Sequence, residues 1–75
     1  MSLVTEVRFE SKQMREHQEA RTTYSVCTFP SGKRVQIQSY GRSDREEPDT
    51  VSQVMQFDEK SARQLVDILR REFNF

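Results

Sequence analysis

In LVTEVRFES, Leu3, Thr5, Val7 and Phe9 alternate with Val4, Glu6, Arg8 and Glu10, the two-residue period of a strand with one buried face. KQMREHQEAR loses that period and holds one large apolar residue, Met14, so a helix there would have almost nothing to bury. A mobile connection, or one or two helical turns, is expected over residues 12–20. TTYSVCTF returns to β-branched and aromatic residues, with Tyr24 and Val26 on one face and Cys27 and Phe29 on the opposite side of that alternation. PSGK then has turn chemistry, and RVQIQSY sets Val35 and Ile37 against Arg34, Gln36, Gln38 and Tyr40; the two runs predict a hairpin. GRSDREEPDT, with Gly41, Pro48 and dense charge of both signs, predicts an exposed loop.

VSQVMQF predicts a fourth strand, with Val51, Met55 and Phe57 in phase through Gln53 and Val54 on the reverse side. Asp58 stands where a helix N-cap belongs, able to accept from the backbone of Lys60 or Ser61. Ala62, Leu65, Val66, Leu69 and Phe73 then recur at three- and four-residue spacing, widened by Ile68, and leave Arg63, Gln64, Asp67, Arg70 and Arg71 outside the stripe. The expected fold is α+β: a four-stranded antiparallel β-meander with one C-terminal helix packed on one face, a single domain over residues 1–75.

Size changes this picture more than chemistry does. A 75-residue chain hides only about 60% of its unfolded surface, so its core wants reinforcement. Cys27 is the one cysteine, which excludes an internal disulfide and fits a reducing compartment; with His17 it makes two soft ligands where a closed zinc site needs four. Self-association is the remaining route, and a homodimer is expected. The helix covers one of two sheet faces, and Ile68, Phe73 and Phe75 are the candidate dimer contacts. Phe75, beyond the stripe, either folds back on its own sheet edge or meets a second subunit. Lys+Arg and Asp+Glu are both 12, so no global field steers the chain to nucleic acid or anionic lipid. No apolar run reaches the length of a membrane span, and MSLVTEVRFE lacks the basic start and apolar core of a signal peptide; a cytoplasmic location is expected.

Catalysis finds little support. A Cys27/His17 dyad would place its base in the least ordered segment, and the carboxylates of SDREEPD have no apolar wall to raise a pKa. Two glycines cannot hide a phosphate-binding loop. A non-enzyme without cofactor or metal is expected. Binding remains: Lys33, Arg34, Gln36, Gln38 and Tyr40 on and beside the third strand form a candidate ligand or nucleic-acid face, because cations track phosphates and rings stack on bases. Long polar side chains that merely solvate an outer sheet face are the other reading of the same row.

From Gly32 to Arg70 the chain resembles the C-terminal half of the positive-cofactor type of transcriptional coactivator, a dimeric single-stranded-DNA-binding ββββα domain. The resemblance rests on Gly32 and Lys33 leading a strand with Val35, Ile37 and Tyr40, then a charged loop with Pro48, then VMQFDEKSARQLVDIL. It implies roles for Lys33, Arg34 and Tyr40 at nucleic acid and a dimer built partly from the helices. Two family features have no counterpart: the basic, glycine-containing entry to the last strand, here TVSQ, and a tryptophan early in the helix.

Overall fold

The structure, a computed structural model, describes residues 1–41 and 51–75. Its elements are β1 (Ser2–Val4), β2 (Thr22–Phe29), β3 (Gly32–Tyr40), β4 (Val51–Phe57) and α1 (Glu59–Phe73). They make an α+β domain in which one four-stranded sheet is followed by one C-terminal helix. The loop expected over residues 41–50 lies, apart from Gly41, outside the described residues; Gly41 itself is buried.

The hairpin follows from its turn. Phe29 pairs with Gly32, so Pro30 and Ser31 alone connect β2 to β3. Proline pre-sets its own φ for such a turn, and Gly32 takes φ +134°, a conformation that residues with a Cβ rarely adopt. β4 pairs antiparallel with β3, from Val35 opposite Phe57 to Tyr40 opposite Val51. Ser39 faces Gln53, so Ser52 is an extra residue in β4 and the register shifts there.

The sheet is mixed, not an antiparallel meander. Its order is β1-β4-β3-β2, and β1 runs parallel to β4 at the edge, with Ser2, Leu3 and Val4 opposite Met55, Gln56 and Phe57. β1 and β2 therefore point the same way from opposite edges. A hairpin cannot join them, which is why residues 5–21 form a long connection. That connection contains no helical turn. The strand expected through Phe9 stops at Val4 for a physical reason: β4 ends at Phe57, where the chain turns into the helix, so nothing remains for residues 5–9 to pair with.

The helix starts where its cap dictates. The Asp58 carboxylate accepts from the Ser61 backbone N–H at 2.8 Å, and the Asp58 N–H donates to Ser61 Oγ at 3.2 Å, closing a reciprocal capping box. The backbone bond from Ser61 favours the ionised acid most, the Ser61 side chain adds to it, and Asp58 is held below its ordinary pKa of 3.8. At the other end Asn74 adopts the left-handed conformation and its N–H returns to the Arg70 carbonyl. The Phe75 N–H also reaches that carbonyl, at 3.3 Å, so the terminal backbone is held while the Phe75 ring lies exposed.

The interior is small. Phe57, 8% exposed, is the one buried apolar side chain among the described residues, and Ser61, four residues on, is fully buried. Phe57 shares a sheet face with its cross-strand neighbours Val35 and Val4, both half-buried. α1 meets the sheet chiefly at β4, and the Gln64 side chain accepts from the Val7 N–H at 2.8 Å, tying the connection to the helix.

Candidate functional site

Strand alternation and register divide the sheet into two unlike faces. On one, Arg34, Gln36, Gln38 and Tyr40 of β3 stand beside Thr23, Ser25 and Cys27 of β2 and Val54 and Gln56 of β4. Gln56 Nε2 donates to Gln36 Oε1 at 2.9 Å, Gln36 Nε2 to Gln38 Oε1 at 2.7 Å, and Gln38 Nε2 to the Tyr40 hydroxyl at 2.7 Å. Each amide thus spends one donor on the next acceptor in a directional row, which orients the side chains and leaves the second N–H of each amide without a partner among the described residues. The Arg21 guanidinium sits 4.2 Å from the centroid of the Tyr40 ring, a cation–π geometry. The Tyr40 N–H donates to the Arg21 carbonyl at 2.9 Å, which brings that arginine to the ring. At the far end of the row Arg34 turns back to the hairpin, donating to the Lys33 carbonyl and to Ser31 Oγ at 3.0 and 3.2 Å.

Lys33 lies on the other face. It pairs with Thr28 in line with Val35 and Ile37, so alternation separates it from Arg34, Gln36, Gln38 and Tyr40. This second face carries two apolar rows across the strands. Val26, Val35 and Phe57 form one, closed at its Phe57 end; Tyr24, Ile37 and Met55 form the other, exposed throughout. Tyr24 is 74% exposed and Val26 52%.

The helix has a matching deficit. Leu65 and Ile68 mark one edge of its apolar stripe and are half-buried, whereas Val66, Leu69 and Phe73 mark the other edge and are exposed, Phe73 by 71%. The most exposed member is Phe73, at the end of the stripe. Of the candidate dimer contacts, Ile68 is therefore half-covered by its own chain, while the Phe73 and Phe75 rings face solvent.

Cys27 and His17 line different clefts. Cys27 is exposed beside Ser25, Phe29, Arg34 and Gln36 in a cleft of about 210 Å³, while His17 lines an open cleft with Arg15, Tyr40 and Gln53. Among the described residues no three His, Cys, Asp or Glu side chains gather as a metal site would require, and no helix is long and apolar enough to cross a membrane. No protein-family model, curated protein or solved structure matches the chain.

Sequence reasoning placed Arg34, Gln36, Gln38 and Tyr40 in the β3 row and Val66 and Leu69 in the helix stripe, but missed Gln56 and Arg21 as members of the amide face and did not show that Val66 and Leu69 stay open. Alternation in VSQVMQF puts Gln56 on the reverse side from Met55 and Phe57; only the Gln36–Gln56 register joins it to the β3 amides. Arg21 lies outside any strand, and no local signal points to it.

Proposed function

We propose that this chain is a small non-catalytic interaction module that works as a homodimer. The observation behind this reading is the open apolar surface: Tyr24, Val26, Ile37 and Met55 on the sheet, Val66, Leu69 and Phe73 on the helix. Water-facing side chains of this kind, contiguous by register and by helical spacing, mark surfaces made for protein. Zero net charge removes long-range repulsion between copies. Cys27 and His17, the residues a nucleophilic site would need, stand in separate clefts, which supports a role without catalysis. The test is thermal unfolding over a hundredfold range of protein concentration. The midpoint should climb with concentration, because folding and association are coupled by mass action; a constant midpoint removes the homodimer.

A second reading, single-stranded nucleic-acid binding of the coactivator type, draws on the amide face. There Arg34, two glutamines and the Tyr40 ring follow one another along a single strand, with Arg21 against the ring. Bases could take hydrogen bonds from the spare amide N–H groups, but a base stacking on the covered side of Tyr40 must displace Arg21. Anisotropy titrations of single-stranded and duplex oligonucleotides at two salt concentrations test it. Single-strand preference that weakens with salt and is lost in Tyr40→Ala supports this role; equal, negligible binding to both ends it.

A further inference from the structure

Resting on the homodimer reading, we propose that the two copies exchange helices: α1 of each chain lies across the apolar sheet face of the other, with Val66, Leu69 and Phe73 seated on Tyr24, Ile37 and Met55. Two features favour this arrangement over other pairings, and a third accords with a dimer of either kind.

Dimensions come first. Residues 66 to 73 of a helix rise about 10 Å at about 1.5 Å per residue. Tyr24, Ile37 and Met55 stand in one register row on three neighbouring strands, which spans about 10 Å at about 4.8 Å per strand. Each surface thus offers three apolar side chains over the same length. Complete coverage comes second. A twofold contact of helix on helix would bury Val66, Leu69 and Phe73 but leave the row from Tyr24 to Met55 in water, and a contact of sheet on sheet would do the reverse. Reciprocal docking of helix on sheet closes both surfaces of both chains with one symmetric operation.

Area comes third. The chain exposes 6991 Å², whereas a folded monomer of its 8.9 kDa exposes about 4,800 Å². The open connection over residues 5–21 accounts for part of the difference of about 2,200 Å² per chain. Obligate dimers bury roughly 2,000 Å² or more over both partners together, about 1,000 Å² each. The surplus is larger than that requirement. The polar flanks agree: Arg63, Asp67 and Arg70 lie outside the stripe, Glu72 lies on its Leu65 and Ile68 side away from Val66 and Phe73, and the rim of the apolar face is Thr22, Thr28, Lys33, Ser39 and Gln53, so the charges of both chains stay at the edge of the contact.

Isotope-filtered nuclear Overhauser spectroscopy on wild-type protein tests the exchange. Equal amounts of carbon-13-labelled and unlabelled chain are unfolded together and refolded, so that mixed dimers form. The expected result is a set of intermolecular cross-peaks from the Tyr24 ring and the Met55 methyl to Phe73 and Leu69, with no intermolecular cross-peak between the two Phe73 rings. A dimer whose intermolecular cross-peaks join helix only to helix, or sheet only to sheet, overturns the exchange and leaves the homodimer standing. A chain that sediments as a monomer and shows no intermolecular cross-peak overturns both. A dimer whose Tyr24–Phe73 cross-peaks all arise within one chain also overturns the exchange, because each helix then covers its own sheet.

Discussion

Phe57→Ala is the substitution to which this architecture is most sensitive. Phe57 is the last residue of β4, is 8% exposed, and stands between Val35 and Val4 on the sheet face from which the helix departs. Truncating a buried phenylalanine costs about 3–5 kcal/mol, from lost transfer energy and the cavity left behind. A domain of 75 residues has a total stability of about 4–11 kcal/mol. One side chain therefore carries a large share of the whole. With an m-value near the low end for small proteins, about 1 kcal/mol/M, the urea midpoint should fall by about 3–5 M. A weaker parent would simply be unfolded in buffer. Val54→Ala is the comparison: Val54 is half-buried on the opposite face, and removing about two methylenes' worth of half-covered surface should cost about 1 kcal/mol or less. Both titrations, followed by circular dichroism, must use one protein concentration, since the proposed association would contribute to apparent stability. A loss for Phe57→Ala no greater than for Val54→Ala would refute the placement of the core at the junction of β4 and α1.

Gly32→Ala should lower the thermal midpoint, because φ +134° is strained for any residue with a Cβ and the new methyl would meet Arg34 Nη1 at 3.0 Å; a neutral or stabilising effect contradicts the turn geometry. Asp58→Ala should destabilise the helix start, while Asp58→Asn should retain most of the cap. Because the Asp58 pKa is lowered in the folded chain, the ionised cap contributes stability above pH 3.8 and loses it as the pH falls through the lowered value. The midpoint gap between wild type and Asp58→Ala should therefore narrow in acid, and a gap that widens there reverses the assignment. Leu69→Asp places a charge on the open edge of the stripe that the proposed dimer would bury and should lower the midpoint by more than Arg70→Asp, which should cost only about 0.3–1 kcal/mol through the helix dipole; equal midpoints for the two show that Leu69 stays in water.

The elements legible in the sequence are those specified by neighbours along the chain. Pro30, Ser31 and Gly32 mark the hairpin, the period of RVQIQSY orients β3, and Asp58 with the spacing from Ala62 to Phe73 sets the helix and its stripe. What needed the structure was pairing over distance. Leu3 to Phe9 alternate uniformly, yet only Ser2–Val4 find a partner, since the extent of an edge strand depends on where β4 stops. Nothing local says whether that edge pairs parallel or antiparallel. The same holds for the surfaces. The β3 amides follow from alternation, but their continuation into Gln56 needs the register, and the Arg21 cover of Tyr40 needs the fold of a segment without periodicity. The helix stripe was readable too, though not that Leu65 and Ile68 would be half-covered within the chain while Val66, Leu69 and Phe73 stayed open.

Sedimentation equilibrium on the wild-type chain, from low to high micromolar, tests the central claim most directly, because the open sheet rows and the open helix edge have one consequence in common. The account predicts a mass of twice 8.9 kDa over most of that range, with dissociation only at the dilute end and loss of helical signal accompanying it. A mass of one chain at every concentration, with the helix fully formed, would contradict it.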